Sequence, residues 1–310
     1  MDSYEVRKAY KKKTAEDWKV TFKVNSLFII DLLGENDAVH GLNKNKNTAQ
    51  LICDGIDDLS QKNKIYQHVY YVKCQNKPQL IEFLTKGIKK EIKNNLIPHL
   101  HFEFHGDEEK GLQTPVDNQY LSWGELNNLL LKINKLTKNN LGVFLLGCHG
   151  VGLRKELKVV TNIGSPYGFL IFSKAEIFEG QLKTRMKDFY RLLFIERELD
   201  VALEVLQEDY DIILTKHTFS LETATLFYKD MFGKNKDNFT EFLVSKLKLS
   251  SPIGTPLRLI RRDAKARIKK MESFYSKAGQ KYLHGQMPIP YDTIYNLAKE
   301  LYHDMHKYNS

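Results

Sequence analysis

The chain has 310 residues, of which 42% are hydrophobic and 27% are charged. This composition is typical of a globular protein, and it excludes a disordered tail, a collagen and a low-complexity scaffold. The 47 lysines and arginines outnumber the 38 aspartates and glutamates, so the formal net charge is +9, which permits an acidic partner without requiring one.

The cysteines and the apolar stretches indicate the cellular compartment of the protein. Three cysteines, Cys53, Cys74 and Cys148, do not make a disulfide framework and indicate a reducing environment. The basic N-terminal residues are not followed by the apolar segment of a secretory signal. The longest nearly apolar stretches, 26–33 and 141–147, are far shorter than the roughly 20 residues of a membrane helix. We therefore expect a soluble cytoplasmic protein with no membrane contact.

The first two thirds of the chain alternate short apolar runs with longer helical patterns. The apolar runs predict five strands, at residues 24–33, 69–74, 96–105, 141–146 and 168–172. The helical patterns predict helices at residues 48–59, 78–93, 123–136, 182–194 and 200–207. Ser122 and Glu125 form a capping box at the start of the third helix. Residues 107–120 are predicted to form a polar loop, and the pattern from about residue 211 is mostly helical.

Strand–helix–strand alternation over residues 24–210 predicts an α/β domain, with a mainly parallel sheet and helices on both faces. We expect this domain at 20–215 and a helical, basic C-terminal extension at 216–310. In such sheets, ligands and chemistry lie at the carboxyl ends of the strands. This rule selects His105 with Gly106, and also Cys148, because each lies just past the end of a predicted central strand.

These residues are the types that thiol chemistry requires. A cysteine nucleophile needs a nearby base and backbone N–H groups that stabilise the developing oxyanion. His105 lies 43 residues before Cys148, which stands in the run Gly147-Cys148-His149-Gly150. The helix between them would return the chain to an adjacent parallel strand. The two side chains are therefore expected to face each other across one cleft at the strand ends.

A strand followed by His-Gly, then a helix, then a strand followed by Cys-x-Gly resembles the caspase-like cysteine peptidases. This group includes caspases, paracaspases, separases, gingipains and the bacterial CHAT peptidases. The run FIIDLL at 28–33 resembles the first core strand of that fold. Residues 166–170, followed by Phe189 and Tyr190, resemble the bacterial branch. The resemblance covers roughly residues 22–215 and implies a caspase-like fold.

The resemblance also implies roles for the site residues. His105 would be the general base and Cys148 the nucleophile, and the backbone N–H groups of Gly106 and Cys148 would hold the oxyanion. No metal or cofactor is required. His149 follows the nucleophile, an unusual choice, and is either a cleft residue or a competitor for the role of base.

Specificity and control are likewise implied by the resemblance. Acidic residues in the pocket for the residue before the scissile bond select lysine or arginine, and Asp54 and Glu176 are the candidates for that pocket. Cleavage after a basic residue is therefore expected. Many bacterial members look like effectors of antiphage or suicide systems, which implies an activating protein or a nucleotide-sensing partner.

Two other readings remain open. The first is a caspase-fold pseudoenzyme or scaffold that binds nucleic acid or a protein partner. The second is a zinc hydrolase, because His99, His101 and His105 share one strand face and His149 lies beside Cys148. No carboxylate or second cysteine completes that ligand set at a regular spacing. We expect Cys53 and Cys74 to be ordinary packed residues.

The segment 257–283 carries an apolar stripe of helical period and nine lysines and arginines against two acids, which accounts for +7 of the net charge. It is expected to be a docked helix whose basic face is either solvated or in contact with an acidic partner or nucleic acid.

Overall fold

The computed structural model describes the chain with gaps. The described residues are 22–23, 25–34, 48–62, 68–145, 147, 149–156, 163–173, 179–196, 199–206, 210–227, 241, 244–245, 247–248, 251–252 and 254–307. They fall into two units. The sheet unit lies within 22–160 and 164–215, and the helical unit lies within 216–310 and includes Ile163.

The sheet unit is built on a six-stranded sheet. Its strands are β1 (Ser26–Leu32), β2 (His68–Lys73), β3 (Pro98–Phe104), β7 (Gly142–Leu145), β8 (Phe169–Ser173) and β9 (Tyr210–Leu214). They lie in the order β2-β1-β3-β7-β8-β9. Every pair in this sheet is parallel except β8 with β9. The prediction of an α/β fold with a mainly parallel sheet is confirmed.

Helices pack on both faces of the sheet, and an apolar cluster fills each side. The helices described in this unit are α1 (Thr48–Lys62), α2 (Lys77–Glu82), α3 (Ile88–Lys93), α4 (Trp123–Leu136), α5 (Val151–Lys155), α6 (Glu179–Tyr190) and α7 (Leu199–Val205). Short π-helical turns follow α2 and α6. Because successive strand side chains alternate between faces, Leu100 and Phe102 face one cluster and Ile29 and Phe144 the other.

Two predictions of the sequence analysis are wrong in this unit. Residues 107–120, predicted as a loop, contribute to a small antiparallel sheet of β4 (Gly106–Asp107), β5 (Gly111–Gln113) and β6 (Tyr120–Leu121). Leu112 and Leu121 pair across it and are fully buried, which holds these short strands against the core. The second error is β9, which lies where a mostly helical region was expected. It closes the sheet as an antiparallel edge strand.

The described part of the helical unit contains α8 (Thr215–Phe227), α9 (Leu257–Tyr282) and α10 (Tyr291–Lys307). Phe219 on α8 stacks against Tyr275 and Tyr282 of α9, with ring centroids 5.6 and 5.4 Å away. The Tyr275 hydroxyl donates a hydrogen bond to the carbonyl of Ile289, just before α10. Aromatic packing therefore joins the three helices.

Within the described ranges, no helix is both long and apolar enough to cross a membrane.

Candidate active site

The two chain segments selected by the sequence analysis leave the sheet side by side. Strands β3 and β7 are parallel neighbours, and Phe102 is the register partner of Leu145. In the sequence, His105 comes three residues after Phe102, and Cys148 comes three residues after Leu145. Parallel strands in register end at the same edge of a sheet, so both segments start from one place at the carboxyl edge.

Gly147 brings the two segments into direct contact. A methyl group at Gly147 would lie 2.2 Å from the carbonyl oxygen of Phe104, which no side chain could tolerate without a shift of the backbone. The Ser173 hydroxyl donates a hydrogen bond of 2.6 Å to the Gly147 carbonyl and fixes this residue from the next strand. The residue before Cys148 therefore packs against the residue before His105.

His105 is exposed at the end of β3, and its carbonyl accepts a hydrogen bond of 2.8 Å from the backbone N–H of Gln113. Gly106 then opens the small sheet, where it pairs with Leu112. The backbone that carries the predicted base is thus held by β5. Cys148 lies outside the described residues.

The turn between β4 and β5 is fastened to two helices. The Trp123 indole N–H, on the first residue of α4, donates to the carbonyls of Asp107 at 3.0 Å and Glu108 at 2.9 Å. Lys155 on α5 forms an ion pair of 2.6 Å with Glu108. Gly152 allows α5 to approach Trp123, because a methyl group there would lie 2.1 Å from the indole nitrogen. These contacts hold the β4–β5 turn, the start of α4 and α5 together at the edge of the site.

His149 lies at the start of this edge with a φ of 62°, in the left-handed region, and its side chain is half-buried. The acidic turn lies within electrostatic range of it. Backbone N–H groups of Lys110 and Glu109 lower the pKa of Asp107, and the charge of His149 adds to this effect. Lys155 lowers the pKa of Glu108, again with a contribution from His149. His149 and the acidic turn therefore interact electrostatically at this edge.

A buried polar group that the sequence analysis missed lies beneath this edge. His101 Nε2 is 2.7 Å from Glu103 Oε1, and His101 Nδ1 is 2.5 Å from the Tyr190 hydroxyl. A carboxylate can only accept, so the pairing assigns a proton to Nε2. Burial raises the pKa of Tyr190 well above its usual value, with Glu103 as a second cause, so its hydroxyl stays protonated.

A second carboxylate lies beside this group. Asp31 is fully buried and is the register partner of Glu103 on the neighbouring strand. It accepts hydrogen bonds from the Tyr71 hydroxyl and, at 2.9 Å, from the backbone N–H of Leu33. The signal for both carboxylates was in the sequence, since an acid inside an apolar strand must find partners in the core.

His99, Cys53 and Cys74 lie among apolar side chains of the sheet unit. Burial lowers the pKa of His99 to about 3, and its ring packs between Phe144 and Phe169. Burial raises the pKa of Cys53 and of Cys74 to about 11, with nearby carboxylates as a second cause. Neither thiol forms a thiolate readily near neutral pH. Among the residues that the structure describes, no cluster of three histidine, cysteine or acidic side chains could hold a metal ion.

Of the two predicted pocket residues, the structure describes Asp54 alone. Asp54 is half-buried and is the seventh residue of α1, about 9 Å along the axis from the first. A crossover helix between parallel strands starts at their carboxyl edge, so Asp54 lies below that edge. Glu176 lies outside the described residues.

Compared with known families and with curated proteins, the chain matches no family model and no curated relative.

Proposed function

We propose that the chain is a cysteine endopeptidase of caspase-like fold, with His105 and Cys148 as its dyad. The observation that supports this most is the contact of Gly147 with the Phe104 carbonyl. It joins the two segments that carry the base and the nucleophile at the carboxyl edge of neighbouring parallel strands, where α/β sheets carry their chemistry.

In the proposed mechanism, His105 takes the proton from the Cys148 thiol, and the thiolate attacks the scissile carbonyl carbon. The backbone N–H groups of Gly106 and Cys148 hold the oxyanion of the tetrahedral intermediate. The intermediate collapses, the C–N bond breaks, and the imidazolium gives its proton to the leaving amine. Water, deprotonated by His105, then hydrolyses the acyl-enzyme and restores the thiol.

The charge at the edge supports cleavage after lysine or arginine. Asp107, Glu108 and Glu109 follow the base after Gly106, and these three acids outnumber the two cations at the turn, Lys110 and Lys155, so the turn keeps a net negative charge. A cationic substrate side chain would be attracted to this turn. Asp54 and Glu176 remain candidates for the pocket itself.

We further propose that the peptidase is a regulated effector of a bacterial defence or suicide system. An always active endopeptidase would digest its own cell. A protein or a nucleotide-sensing partner would activate it by engaging the helical unit. Full activity of the purified chain alone would refute this part of the proposal and leave the dyad intact.

The dyad is tested with a peptide library and the purified protein, alone and with cell extract as a source of activator. Cys148→Ala should abolish hydrolysis, and His105→Ala should lower the rate by at least ~100-fold. The matched controls Cys53→Ala and Cys74→Ala should retain activity. Hydrolysis that survives in Cys148→Ala would overturn the proposal. A strong preference for aspartate before the scissile bond would refute only the basic specificity.

A further inference from the structure

Helix α9 buries a narrow face and exposes a wide one. The buried positions fall on one stripe and are Ile260, Ala264, Tyr275, Gly279 and Tyr282. Ile260 and Ala264 pack with Val244 and Leu247 beneath the first half of the helix. The packing of the helix thus leaves most of its surface in solvent.

Four cationic side chains line one exposed stripe of the first half of α9. Arg258, Arg261, Arg262 and Lys265 are spaced by three and four residues, so they project from the same side over about 10 Å of helix axis. Arg261 forms an ion pair of 3.1 Å with Glu241. Among the described residues, the other three take part in no ion pair. We call these four residues the cationic stripe.

This arrangement opposes the stability of the helix. Like charges three and four residues apart repel each other, and cations are unfavourable in the first turns, where the helix dipole is positive. The first turn of α9 contains no acidic residue that would offset them. A local rule broken in this way, with only the Arg261–Glu241 ion pair to offset it among the described residues, is typical of a functional surface.

The composition of the stripe favours phosphate over a protein partner. Three of its four residues are arginines, whose forked guanidinium groups match phosphate oxygens. A protein interface would need an apolar anchor at its centre. The exposed large hydrophobic side chains of this half of the helix, Leu257 and Leu259, lie about 100° to either side of Arg258, so they flank the stripe and do not occupy its centre.

We propose that the cationic stripe binds the phosphate backbone of nucleic acid without reading its sequence. The contacts are electrostatic, so binding releases counterions and weakens with salt. This surface is separate from the proposed dyad, and its test does not depend on peptidase activity.

The test measures binding of the full-length protein to fluorescein-labelled 30-base-pair DNA and RNA duplexes and single strands by anisotropy. For three phosphate contacts on a duplex, the affinity should fall about 40-fold between 50 and 200 mM salt. The triple variant Arg258→Gln, Arg262→Gln, Lys265→Gln should lose at least ~10-fold in affinity at 50 mM salt, with a shallower salt dependence.

The matched control is Lys270→Gln, Lys277→Gln, Lys281→Gln, which removes the same charge from another side of α9. It should change the affinity less than ~3-fold, since these residues lie off the stripe. Equal losses in the two variants would refute a localised site. Absence of binding by the unmodified protein at 50 mM salt, or tighter binding of poly-glutamate than of every nucleic acid, would also overturn the proposal.

A thermal melt separates binding from a structural role. Removing the repulsion should leave the melting temperature of the stripe variant unchanged or higher. A clearly lower melting temperature would show that the cations stabilise the fold, which contradicts the proposal.

Discussion

The buried middle of strand β3 and its carboxyl end place histidines in opposite settings. In the middle, His99 packs among aromatic rings and His101 is held between Glu103 and Tyr190, and both are fully buried. Just past the end, His105 is exposed, and Gly106 separates it from the acidic turn. Two histidines within the strand and a third just after its end thus differ in burial and in surroundings.

The comparison teaches which polar groups can react. Inside the sheet, Asp31, His101 and Glu103 are fixed by hydrogen bonds that stabilise the core. Such groups are expensive to move, because an unpaired polar atom in the core costs free energy. At the edge, the backbone is fixed while the His105 side chain is exposed. The buried groups therefore stabilise the fold, whereas the exposed His105 side chain is accessible to a reacting partner.

The largest expected effect is on the buried middle. His101→Ala should lower the free energy of unfolding by about 3–5 kcal/mol, because Glu103 and the Tyr190 hydroxyl lose their imidazole partner inside the core. Denaturant unfolding measures the change. The control His68→Ala, at an exposed position of β2, should stay within about 0.5 kcal/mol. If the two substitutions lowered the free energy of unfolding by similar amounts, the proposed difference between buried and exposed histidines would be wrong.

At the edge, Gly147→Ala should lower the rate of peptide hydrolysis by about 100-fold. The added methyl group meets the Phe104 carbonyl at 2.2 Å, so the segment before Cys148 must move away from the segment before His105. Gly55→Ala in α1 is the control. Its methyl group meets nothing within 4 Å, and the helix should gain roughly 0.5–1 kcal/mol. Unchanged hydrolysis by a folded Gly147→Ala protein would contradict the assigned contact.

The pH dependence of the free energy of unfolding tests the buried setting of His99 in β3. Burial lowers the pKa of His99 to about 3, so this ring stays neutral in the folded chain while the unfolded chain takes up a proton near pH 6.5. Stability is therefore full above about pH 6.5 and is lost as the pH falls towards about 3. The loss should reach about 2 kcal/mol at pH 5.

His99→Phe should flatten this part of the pH profile of unfolding, whereas His68→Gln should leave it unchanged. The control follows because His68 is exposed in the folded chain as well. A profile in which both variants behave alike would show that other groups set the pH dependence.

The smallest expected effect concerns the fastening of the acidic turn. Trp123→Phe keeps an aromatic ring near Phe104 but removes the N–H that donates to Asp107 and Glu108. Stability should fall by about 1 kcal/mol, the usual contribution of a hydrogen bond. Hydrogen exchange should show faster opening of residues 106–113, while β1 keeps its protection. Unaltered exchange across the turn would mean that the indole N–H does not hold it.

Much of the sheet could be predicted from the sequence, because apolar runs of four to eight residues mark buried strands. The five predicted strands lie within two residues of β1, β2, β3, β7 and β8. The capping box of Ser122 and Glu125 is present as well, since it depends only on local spacing.

The errors have physical reasons. Strands β4, β5 and β6 are only two or three residues long. Such short strands form because they pair with each other, and they are too short to show an alternating hydrophobic pattern in the sequence. The run that forms β9 is short and apolar, a pattern that fits a buried helix equally well.

The site was predictable only in part. The strand-end rule predicts that His105 follows a central strand, and the structure shows it exposed at that position. The contact between His101 and Tyr190 could not be predicted, because it depends on where α6 packs across the sheet. The resemblance selects Asp54 as an acid that follows the first strand, and the structure places it in the second turn of α1.

The central claim is that the carboxyl edge turns one of three cysteines into a nucleophile, and site-resolved alkylation tests it most directly. The intact protein is treated with iodoacetamide from pH 6 to 11, and each cysteine is followed by mass spectrometry. Cys148 should react near neutral pH, and His105→Ala should slow it. Cys53 and Cys74 should react appreciably only towards pH 11, where burial places their pKa values. Equal rates for the three cysteines, or a Cys148 rate unaffected by His105→Ala, would contradict the account.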